Sequence, residues 1–594
     1  MAKSKKSKIE WSHYQTDIFN FVKNGQGNAV IEASAGSGKT SSLLKCLDFI
    51  DEDKRILLTA FNKDIVNVLA KKTKKLKNVT AMTMHGLGLQ MLHSNFGKSK
   101  LELDEYKYKS FITSNLKELT SINTYELSKN DFYKYLTNIE KYIDFGRYYL
   151  AQTIKDLDFI GEMYDIDAVA DEKSIAIQAM DWGKRNLDSI DYTDMVWLPN
   201  VLMCNPYGLK FDWIMTDEAQ DLNRAQRELM LKCRKINTRM LIFGDEKQCI
   251  YSFGGSDPDS FEALKSLPNT VSLPLSISYR CADNIVEFAH QLVPTIEKNN
   301  DGRKGVIEEV SNIDEIKDGD MVLCRTNAPL MQIYNTFIKE GKKCFVRGKD
   351  IGNNLKQLVK STKKENLGND LKTDGVFVRL YNRLFESRDN LMIHSNIDYE
   401  TAMQSSIITN FLDMIRALEV LSEGLNNATE LIDRISEVFS DRKKNGISLS
   451  TIHKAKGLEA DRVFIACKSL MPSKSAKKDW ELNQEYNLMY VAYTRAKNML
   501  GFLDETDFKN FYADSKQEKN RLKDIELKVD SILGKKPKYI TSGISFSSEI
   551  VKRVKKIELP KSNTKTLNNN TKKIQTRPTL TGLFNRKITS KKIK

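Results

Sequence analysis

Residues 28–44 read NAVIEASAGSGKTSSLL, running from a short apolar segment through a glycine-rich turn into leucines with helical spacing. This pattern predicts a β-strand at 28–32 and a helix that begins near Lys39. Residues 33–40 fit the P-loop pattern, except that Ala33 replaces its first glycine. A strand, a P-loop and a helix in this order predict a parallel α/β fold with a nucleotide site at the carboxyl end of the strand.

The chemistry of this loop suits the phosphates of a nucleotide. Its backbone N–H groups can surround them, and the amino end of the following helix adds a favourable dipole. Lys39 is expected to reach the β- and γ-phosphates, and the Thr40 hydroxyl group is expected to bind Mg²⁺. Ala33 fits its position provided that its φ is negative. The loop residues expected to contact the nucleotide are Ala33, Ser34, Ala35, Gly36, Ser37, Gly38, Lys39 and Thr40.

An acidic turn, DEAQD at 217–221, follows a second predicted strand at 213–216. Asp217 is expected to hold Mg²⁺, and Glu218 is expected to polarise the water that attacks the γ-phosphate. An acidic turn after a strand is common, so by itself it leaves its function open. Together with the P-loop it predicts ATP hydrolysis, with ATP and Mg²⁺ as cofactors.

Further apolar runs predict buried strands at 55–60, 240–243, 321–325 and 462–466. Two regions between them read as mostly helical, and in the second Asn427 is a candidate helix cap. The predicted fold class is α/β, with two parallel-sheet domains, a mostly helical insert in each, and a disordered basic tail. The expected boundaries are 1–91 and 186–270 for the first domain, 92–185 for its insert, 271–350 and 446–515 for the second domain, 351–445 for its insert, and 516–594 for a largely disordered basic extension.

The net charge of +15 is concentrated in the tail beyond residue 550, so it says little about the rest of the chain. The tail is expected either to hold nucleic-acid phosphates or to be a solvated, disordered end. No apolar run reaches the roughly 20 residues that cross a bilayer. The eight cysteines form no Cys-x-x-Cys pair and suggest reduced thiols. The sequence predicts no membrane association and a cytoplasmic location, in a bacterial or phage-infected cell.

A series of segments between about residues 10 and 505 resembles, in order, the motifs of the UvrD/Rep/PcrA group of superfamily 1 helicases. Besides the P-loop and DEAQD, they are TAFNK at 59–63, TMHG at 83–86, DYTDM at 191–195, GDEKQCIYSF at 244–253, SYR at 278–280, TIHKAKGLE at 451–459 and YVAYTRAK at 490–497. The resemblance implies two RecA-like motor domains that hydrolyse ATP between them. It also implies translocation 3′ to 5′ on single-stranded DNA.

The same resemblance implies roles for residues around the nucleotide. Arg280 and Arg495, on the second domain, would stabilise the transferring phosphoryl group as arginine fingers. Gln220 and Gln248 would sense the γ-phosphate and pass its state to the DNA groove. Further nucleotide contacts are implied for Gln15 and Tyr279, at the adenine, and for Glu459.

A motor must grip single-stranded or forked DNA without reading its sequence, and aromatic stacking provides about 1–3 kcal/mol per base for this. Phe253 takes the place of a tryptophan in the family. Core packing is the alternative for any single aromatic residue, including Tyr251, and a lone histidine is more often structural. The residues expected to contact DNA are Phe61, Asn62, Thr83, His85, Tyr192, Tyr251, Phe253 and His453.

Two departures from the family pattern bear on function. Gly254 and Gly255 stand where the family usually has Arg-Gly, and residues 484–487 read QEYN where a Glu-Glu-Arg-Arg run is frequent. The first departure means that one DNA or interdomain contact is missing or supplied elsewhere. The inserts are also short beside those of larger bacterial members. The sequence therefore predicts ATP hydrolysis more directly than it predicts contact of the inserts with duplex DNA.

Three functions therefore stay open: a DNA helicase, a translocase that displaces proteins with little unwinding, and a nucleotide-gated DNA-binding or loading factor. The water-polarising Glu218 argues against the last of these. A fused nuclease is not expected, because no spaced Asp/Glu/Lys cluster follows the last motif. In the tail, Leu580, Leu583 and Phe584 resemble peptides that dock on sliding clamps or other replisome proteins. Non-specific phosphate binding and no function at all are the alternatives for this segment.

Overall fold

A computed structural model describes residues 10–60, 63–97, 101–124, 127, 129–166, 171–362, 375–395, 397–439, 445–504 and 516–535. Within these ranges, no helix combines the length and the hydropathy needed to span a membrane.

The strands are β1 (Asn28–Ala33), β2 (Ile56–Ala60), β3 (Val79–Thr83), β4 (Glu102–Leu103), β5 (Ser189–Ile190), β6 (Phe211–Asp217), β7 (Arg234–Gly244), β8 (Thr270–Leu275), β9 (Ile277–Ser278), β10 (Glu297–Lys298), β11 (Val306–Val310), β12 (Met321–Cys324), β13 (Cys344–Val346), β14 (Ile447–Thr451), β15 (Ala460–Ala466) and β16 (Ala496–Leu503).

The helices are α1 (His13–Asn24), α2 (Lys39–Cys46), α3 (Lys63–Thr73), α4 (Met84–Phe96), α5 (Lys107–Leu119), α6 (Lys129–Tyr148), α7 (Ile154–Tyr164), α8 (Glu172–Arg185), α9 (Tyr192–Val201), α10 (Arg224–Lys232), α11 (Ser260–Lys265), α12 (Asp283–His290), α13 (Ala328–Lys339), α14 (Lys349–Ser361), α15 (Val376–Ser395), α16 (Tyr399–Gln404), α17 (Ser406–Leu421), α18 (Ala428–Val438), α19 (Asp479–Tyr493) and α20 (Lys516–Ile532).

The first sheet has the strand order β3-β2-β6-β7-β1-β8, and all its pairs are parallel. Strand β2 is buried along its whole length, as expected for a parallel strand covered on both faces. Strand β8 differs from the prediction, which assigned residues 271 onward to the second domain. Its residues pair with β1 from Thr270 to Leu275, so they close the far side of the P-loop strand.

The second sheet has the order β11-β16-β15-β12-β14-β13 and is also parallel throughout. Two parallel sheets with helices packed on them confirm the predicted fold class of two RecA-like domains. Because strand ends carry chemistry in such sheets, the two domains can present side chains to one another across a cleft.

Helices α5 to α8 form most of the first insert, and buried ion pairs fasten it to the sheet domain. Lys107 of α5 and Arg147 of α6 bind Asp194 of α9 at 2.7 and 3.0 Å. Arg147 also binds Asp191 at 2.7 Å. The side chains of Lys107 and Asp194 are fully buried, so loss of either partner would leave an uncompensated charge. The expected boundary at residue 92 falls inside α4, which runs on to Phe96.

The first insert also contacts the second motor domain. Lys478, at the start of α19, forms an ion pair with Asp165 at 2.7 Å and donates to the Met163 carbonyl at 3.1 Å. The Tyr164 ring meets Trp480 edge-on, with ring centroids 5.9 Å apart. We call these four side chains, Asp165, Tyr164, Lys478 and Trp480, the insert bridge.

Helices α14 to α18 form the second insert, and α18 begins after the Asn427 cap that the sequence predicts. Helix α20 lies within the extension that was expected to be largely disordered. It packs against α15 through an apolar face that includes Leu522 and Val529, and Arg388 of α15 binds Glu526 at 2.6 Å. Leu522, Ile525 and Val529, which are three and four positions apart, give this charged segment an apolar helical face.

Candidate active site

The P-loop takes the conformation that its glycines permit. Gly36 and Gly38 have φ of +75° and +83°, whereas Ala33 ends β1 and is not among the residues with positive φ. A Cβ at Gly36 would stand 2.5 Å from the Arg280 Cβ, which only glycine avoids. Helix α2 then begins at Lys39, with its amino end at the loop.

The predicted metal ligands face each other at the carboxyl ends of β1 and β6. The Thr40 hydroxyl group donates to Asp217 Oδ2 at 2.8 Å. Burial, together with the charge of Glu218, raises the pKa of Asp217 to about 6. A divalent cation held by Thr40 and Asp217 would offset the free-energy cost of ionising the buried Asp217 carboxyl group. Both the oxygen ligands and the negative charge at this position therefore fit Mg²⁺.

Glu218 lies directly beside the P-loop lysine. Its carboxylate is 3.4 Å from Lys39 Nζ and accepts a 2.6 Å hydrogen bond from Gln220 Nε2. Burial opposes its ionisation, but the charges of Lys39 and Lys456 outweigh burial and lower its pKa to about 2. Its φ of 55° is rare for a residue with a side chain. Glu218 is therefore ionised, and its contacts with Lys39 and Gln220 fix the direction of its carboxylate.

Hydrogen bonds run from Glu218 across the cleft to the second domain. Gln220 Oε1 accepts from the Asp245 backbone N–H at 3.0 Å, and Asp245 Oδ2 accepts from Gln248 Nε2 at 2.6 Å. Gln248 Oε1 in turn accepts from Arg495 Nη2 at 3.3 Å. We call these five residues, Glu218, Gln220, Asp245, Gln248 and Arg495, the cleft relay. It connects the predicted catalytic carboxylate to a predicted arginine finger.

Both predicted arginine fingers lie at one cavity of about 570 Å³ with the P-loop. Arg280 forms an ion pair with Glu459 at 2.7 Å, and burial, then the charge of Arg280, lowers the pKa of Arg495. An anion between the two guanidinium groups would be stabilised. Ser37 Oγ is buried and has no hydrogen-bond partner among the described residues. Tyr279 also lines this cavity, which fits the phosphates of a nucleotide.

Gln15, for which the resemblance implies an adenine contact, lies beside the P-loop. It is buried, completes the capping box of α1 with Ser12, and donates to Ser42 Oγ at 2.9 Å. It therefore supports the helix that follows the P-loop, and its adenine contact stays a prediction.

An interdomain ion pair escaped the sequence analysis. Lys456 Nζ lies 2.6 and 2.8 Å from the two Asp221 carboxylate oxygens and 2.6 Å from the Gln248 carbonyl. Burial raises the pKa of Asp221 to about 6 despite this partner. Asp221 belongs to the DEAQD motif and Lys456 to TIHKAKGLE, so both residues could be singled out from the sequence. No local sequence pattern, however, indicates that two positions so far apart form an ion pair.

The segment QEYN, which departs from the family pattern, supplies further contacts between the domains. Gln484 Oε1 accepts from the Ser252 backbone N–H at 3.0 Å. Asn487 donates to the Cys249 carbonyl at 3.0 Å. Both contacts hold the 244–255 segment against α19.

The predicted DNA contacts lie in different surroundings. Tyr192 is exposed at the start of α9. Thr83 caps α4 by accepting from the Gly86 N–H at 3.1 Å, and burial lowers the pKa of His85 in its first turn. Predicted contacts outside the described residues are Phe61, Asn62, the side chain of Phe253, and Leu580, Leu583 and Phe584 of the tail. These stay predictions.

Tyr251, a candidate for base stacking with core packing as the alternative, lies between the two motor domains. Its hydroxyl group donates to the His453 carbonyl at 2.9 Å, and Lys456 Nζ lies 5.1 Å from its ring centroid. The neighbouring Ile250 is buried in the core of the second domain. The ring is therefore part of the interdomain contact and lines the nucleotide cavity.

His453 should make stability depend on pH. Burial, then the charges of Arg325 and Lys454, lowers its pKa to about 3, whereas an unfolded histidine titrates near 6.5. Below pH 6.5 the unfolded chain binds a proton that the folded chain does not, so the free energy of unfolding falls as pH falls. The expected slope is about 1.4 kcal/mol per pH unit. Urea unfolding at pH 7.5 and 5.5 should give wild type a loss about 1 kcal/mol larger than His453→Gln. Equal losses would contradict the prediction.

Two parallel sheets, a P-loop with an acidic strand end, and two arginines that face it from the second domain define a nucleotide-driven motor of the RecA-like class. Residues 14–269 match the UvrD/REP helicase N-terminal domain, and residues 347–503 match the UvrD-like helicase C-terminal domain. The chain belongs to the UvrD/Rep family, a family of ATP-dependent DNA helicases.

Three relatives illustrate the range of the similarity. F-box DNA helicase protein 1 of Schizosaccharomyces pombe is 26% identical over 79% of this chain, and the chain spans 55% of that protein's length. ATP-dependent DNA helicase Rep of Buchnera aphidicola is 22% identical over 81% of this chain and 93% of its own. ATP-dependent DNA helicase PcrA of Staphylococcus aureus is 24% identical over 82% and 83%, respectively.

Proposed function

We propose that the chain is an ATP-driven motor that moves 3′ to 5′ on single-stranded DNA and separates duplex DNA. The observation that carries the proposal is the cleft relay, because it joins a water-polarising carboxylate on one motor domain to an arginine finger on the other. A protein that only binds nucleotide and DNA would not need such a connection. The polarity rests on the family resemblance.

In the proposed reaction, ionised Glu218 accepts a hydrogen bond from the attacking water and orients it in line with the γ-phosphate. Lys39, Arg280 and Arg495 stabilise the charge that spreads over the transferring group. Mg²⁺, held by Thr40 and Asp217, would neutralise charge on the β- and γ-phosphate oxygens when bound.

Loss of the γ-phosphate would remove the anion that holds both arginines in the cleft. The cleft relay passes through the 244–255 segment, whose Ser252 carbonyl accepts from the Tyr164 hydroxyl group of the first insert at 3.1 Å. Movement of Arg495 would thus reach both the segment next to Phe253 and the insert. This route supports coupling of hydrolysis to movement along DNA.

A groove of about 960 Å³ between the two inserts is a suitable path for DNA. Burial, then the charge of Lys134, lowers the pKa of Lys141, so a phosphate in the groove would be stabilised. Basic and aromatic side chains on its wall, which suit a strand held without sequence reading, are Tyr133, Lys134, Lys141, Arg383 and Lys477.

Strand separation on duplexes with a 3′ or a 5′ single-stranded tail tests the proposal, beside ATP hydrolysis with and without single-stranded DNA. We expect ATP-dependent unwinding of the 3′-tailed substrate only. Unwinding of only the 5′-tailed substrate would contradict the proposed 3′ to 5′ direction of movement. DNA-stimulated hydrolysis without unwinding of either substrate would favour the translocase.

The translocase is a second candidate because Gly254 stands in the place of the arginine usual in the family. A Cβ at Gly254 would meet no described atom within 4 Å, so a side chain fits there. Gly254→Arg should fold normally and bind single-stranded DNA about three- to tenfold tighter, since hydrogen bonds to charged groups are worth more than neutral ones. Fluorescence anisotropy at two salt concentrations would measure this, with Gly254→Ala as the matched control. Equal affinities of the two variants would argue against a DNA contact at this position.

A further inference from the structure

A tyrosine of the second motor domain reaches into the P-loop of the first. The Tyr490 hydroxyl group accepts a hydrogen bond from the backbone N–H of Ala35 at 2.9 Å, and both residues are fully buried. Burial raises the pKa of Tyr490 well above its usual value, so the phenol stays neutral. Tyr490 belongs to the YVAYTRAK motif, but no role for it follows from the sequence.

The second domain holds this part of the P-loop from two sides. Ala35 packs in the same apolar cluster as Tyr490 and Leu488 of α19. The Gly36 carbonyl accepts from the Tyr279 backbone N–H at 2.9 Å, on the segment that carries Arg280. Residues 35 and 36 therefore pack between α19 and the segment after β9.

Tyr490 and Arg495 are carried by the same short stretch of chain. Helix α19 ends at Tyr493, and Arg495 is anchored back to it because its Nε donates to the Val491 carbonyl at 2.9 Å. Val491 is the residue next to Tyr490. A shift of Tyr490 at the P-loop would therefore be passed to Arg495 through the end of α19 and this hydrogen bond.

We propose that Tyr490 is a positioning residue for hydrolysis: its hydroxyl group ties α19 to the P-loop at Ala35 and sets how far Arg495 reaches towards the γ-phosphate. This role rests on the proposed ATP hydrolysis and adds a residue to it that touches neither ATP nor the attacking water. The alternative is that Tyr490 only fills the interdomain core, in which case its ring matters and its hydroxyl group does not.

Tyr490→Phe separates these alternatives, because it keeps the ring and removes only the acceptor. We expect kcat for DNA-stimulated ATP hydrolysis to fall about tenfold, while KM for ATP changes by less than about threefold. Tyr142→Phe is the matched control. Tyr142 is equally buried, and its hydroxyl group donates to the Ile166 carbonyl at 3.1 Å in the first insert, away from the cleft. Both variants should lower the melting temperature by similar amounts, but only Tyr490→Phe should lower kcat.

A double-mutant cycle with Arg495→Ala, measured by single-turnover hydrolysis, tests whether Tyr490 acts through Arg495. If it does, adding Tyr490→Phe to Arg495→Ala should change the rate by less than about twofold. Independent, multiplicative losses would overturn the proposal, and so would a Tyr490→Phe variant that matches Tyr142→Phe in kcat. Wild type hydrolysing no ATP would instead reject the proposed function, which distinguishes the two failures.

Discussion

Replacing Glu218 by glutamine is expected to lower kcat for ATP hydrolysis by about 10²–10⁴-fold, the range found when a general base is removed. The amide keeps the shape of the side chain and its contact with Gln220, but it lacks the negative charge that orients and polarises the attacking water. Removing this charge also removes the neighbour that raises the pKa of Asp217. ATP and Mg²⁺ should therefore bind at least as tightly as in wild type.

Steady-state hydrolysis and titration with a fluorescent ATP analogue would separate these two effects. Glu228→Gln is the matched control, because Glu228 lies on α10 with a half-exposed side chain that contacts Arg227 rather than the cavity. A Glu218→Gln variant that keeps kcat within tenfold of wild type would assign the water to another residue. Loss of ATP binding would instead indicate that Glu218 shapes the P-loop.

The second large effect is expected at Arg495, where alanine should lower kcat by about 10³–10⁵-fold, the contribution typical of an arginine finger. Lysine should not restore the rate. The guanidinium group donates to four acceptors at once, the Val491 carbonyl, the Leu458 carbonyl, Gln248 Oε1 and Thr494 Oγ1, a fork that an ammonium group cannot reproduce.

Rapid-quench measurement of one turnover would test this without interference from product release. Arg462→Ala provides the control, since Arg462 lies on β15 of the same domain and contacts Asp320 and the Glu315 carbonyl. Full activity of Arg495→Lys would mean that position 495 needs only a positive charge. Full activity of Arg495→Ala would remove it from the reaction.

The local parts of the nucleotide site could be predicted from sequence because their causes are local. The positive φ of Gly36 and Gly38, the start of α2 at Lys39 and the end of β6 at Asp217 each follow from neighbouring residues. Parallel strands then bring Thr40 and Asp217 together, because their carboxyl ends share one edge of a sheet.

Other features depended on contacts between distant segments. Nothing near Asp221 indicates that Lys456 will approach it, and Tyr251 looks as suitable for stacking on DNA as for joining two domains. Strand β8 follows the last first-domain motif, so its return to β1 is set by the need to cover that strand. The sequence did not predict helix α20, because charged residues surround the regularly spaced Leu522 and Val529.

The insert bridge has a topological consequence if the DNA strand runs through the groove between the inserts. Asp165 belongs both to the bridge and to the wall of that groove, so the bridge closes one side of the path. A strand inside could then leave through that side only after the ion pair between Asp165 and Lys478 opened. The lifetime of the complex would depend on how often this bridge opens as well as on the affinity for DNA.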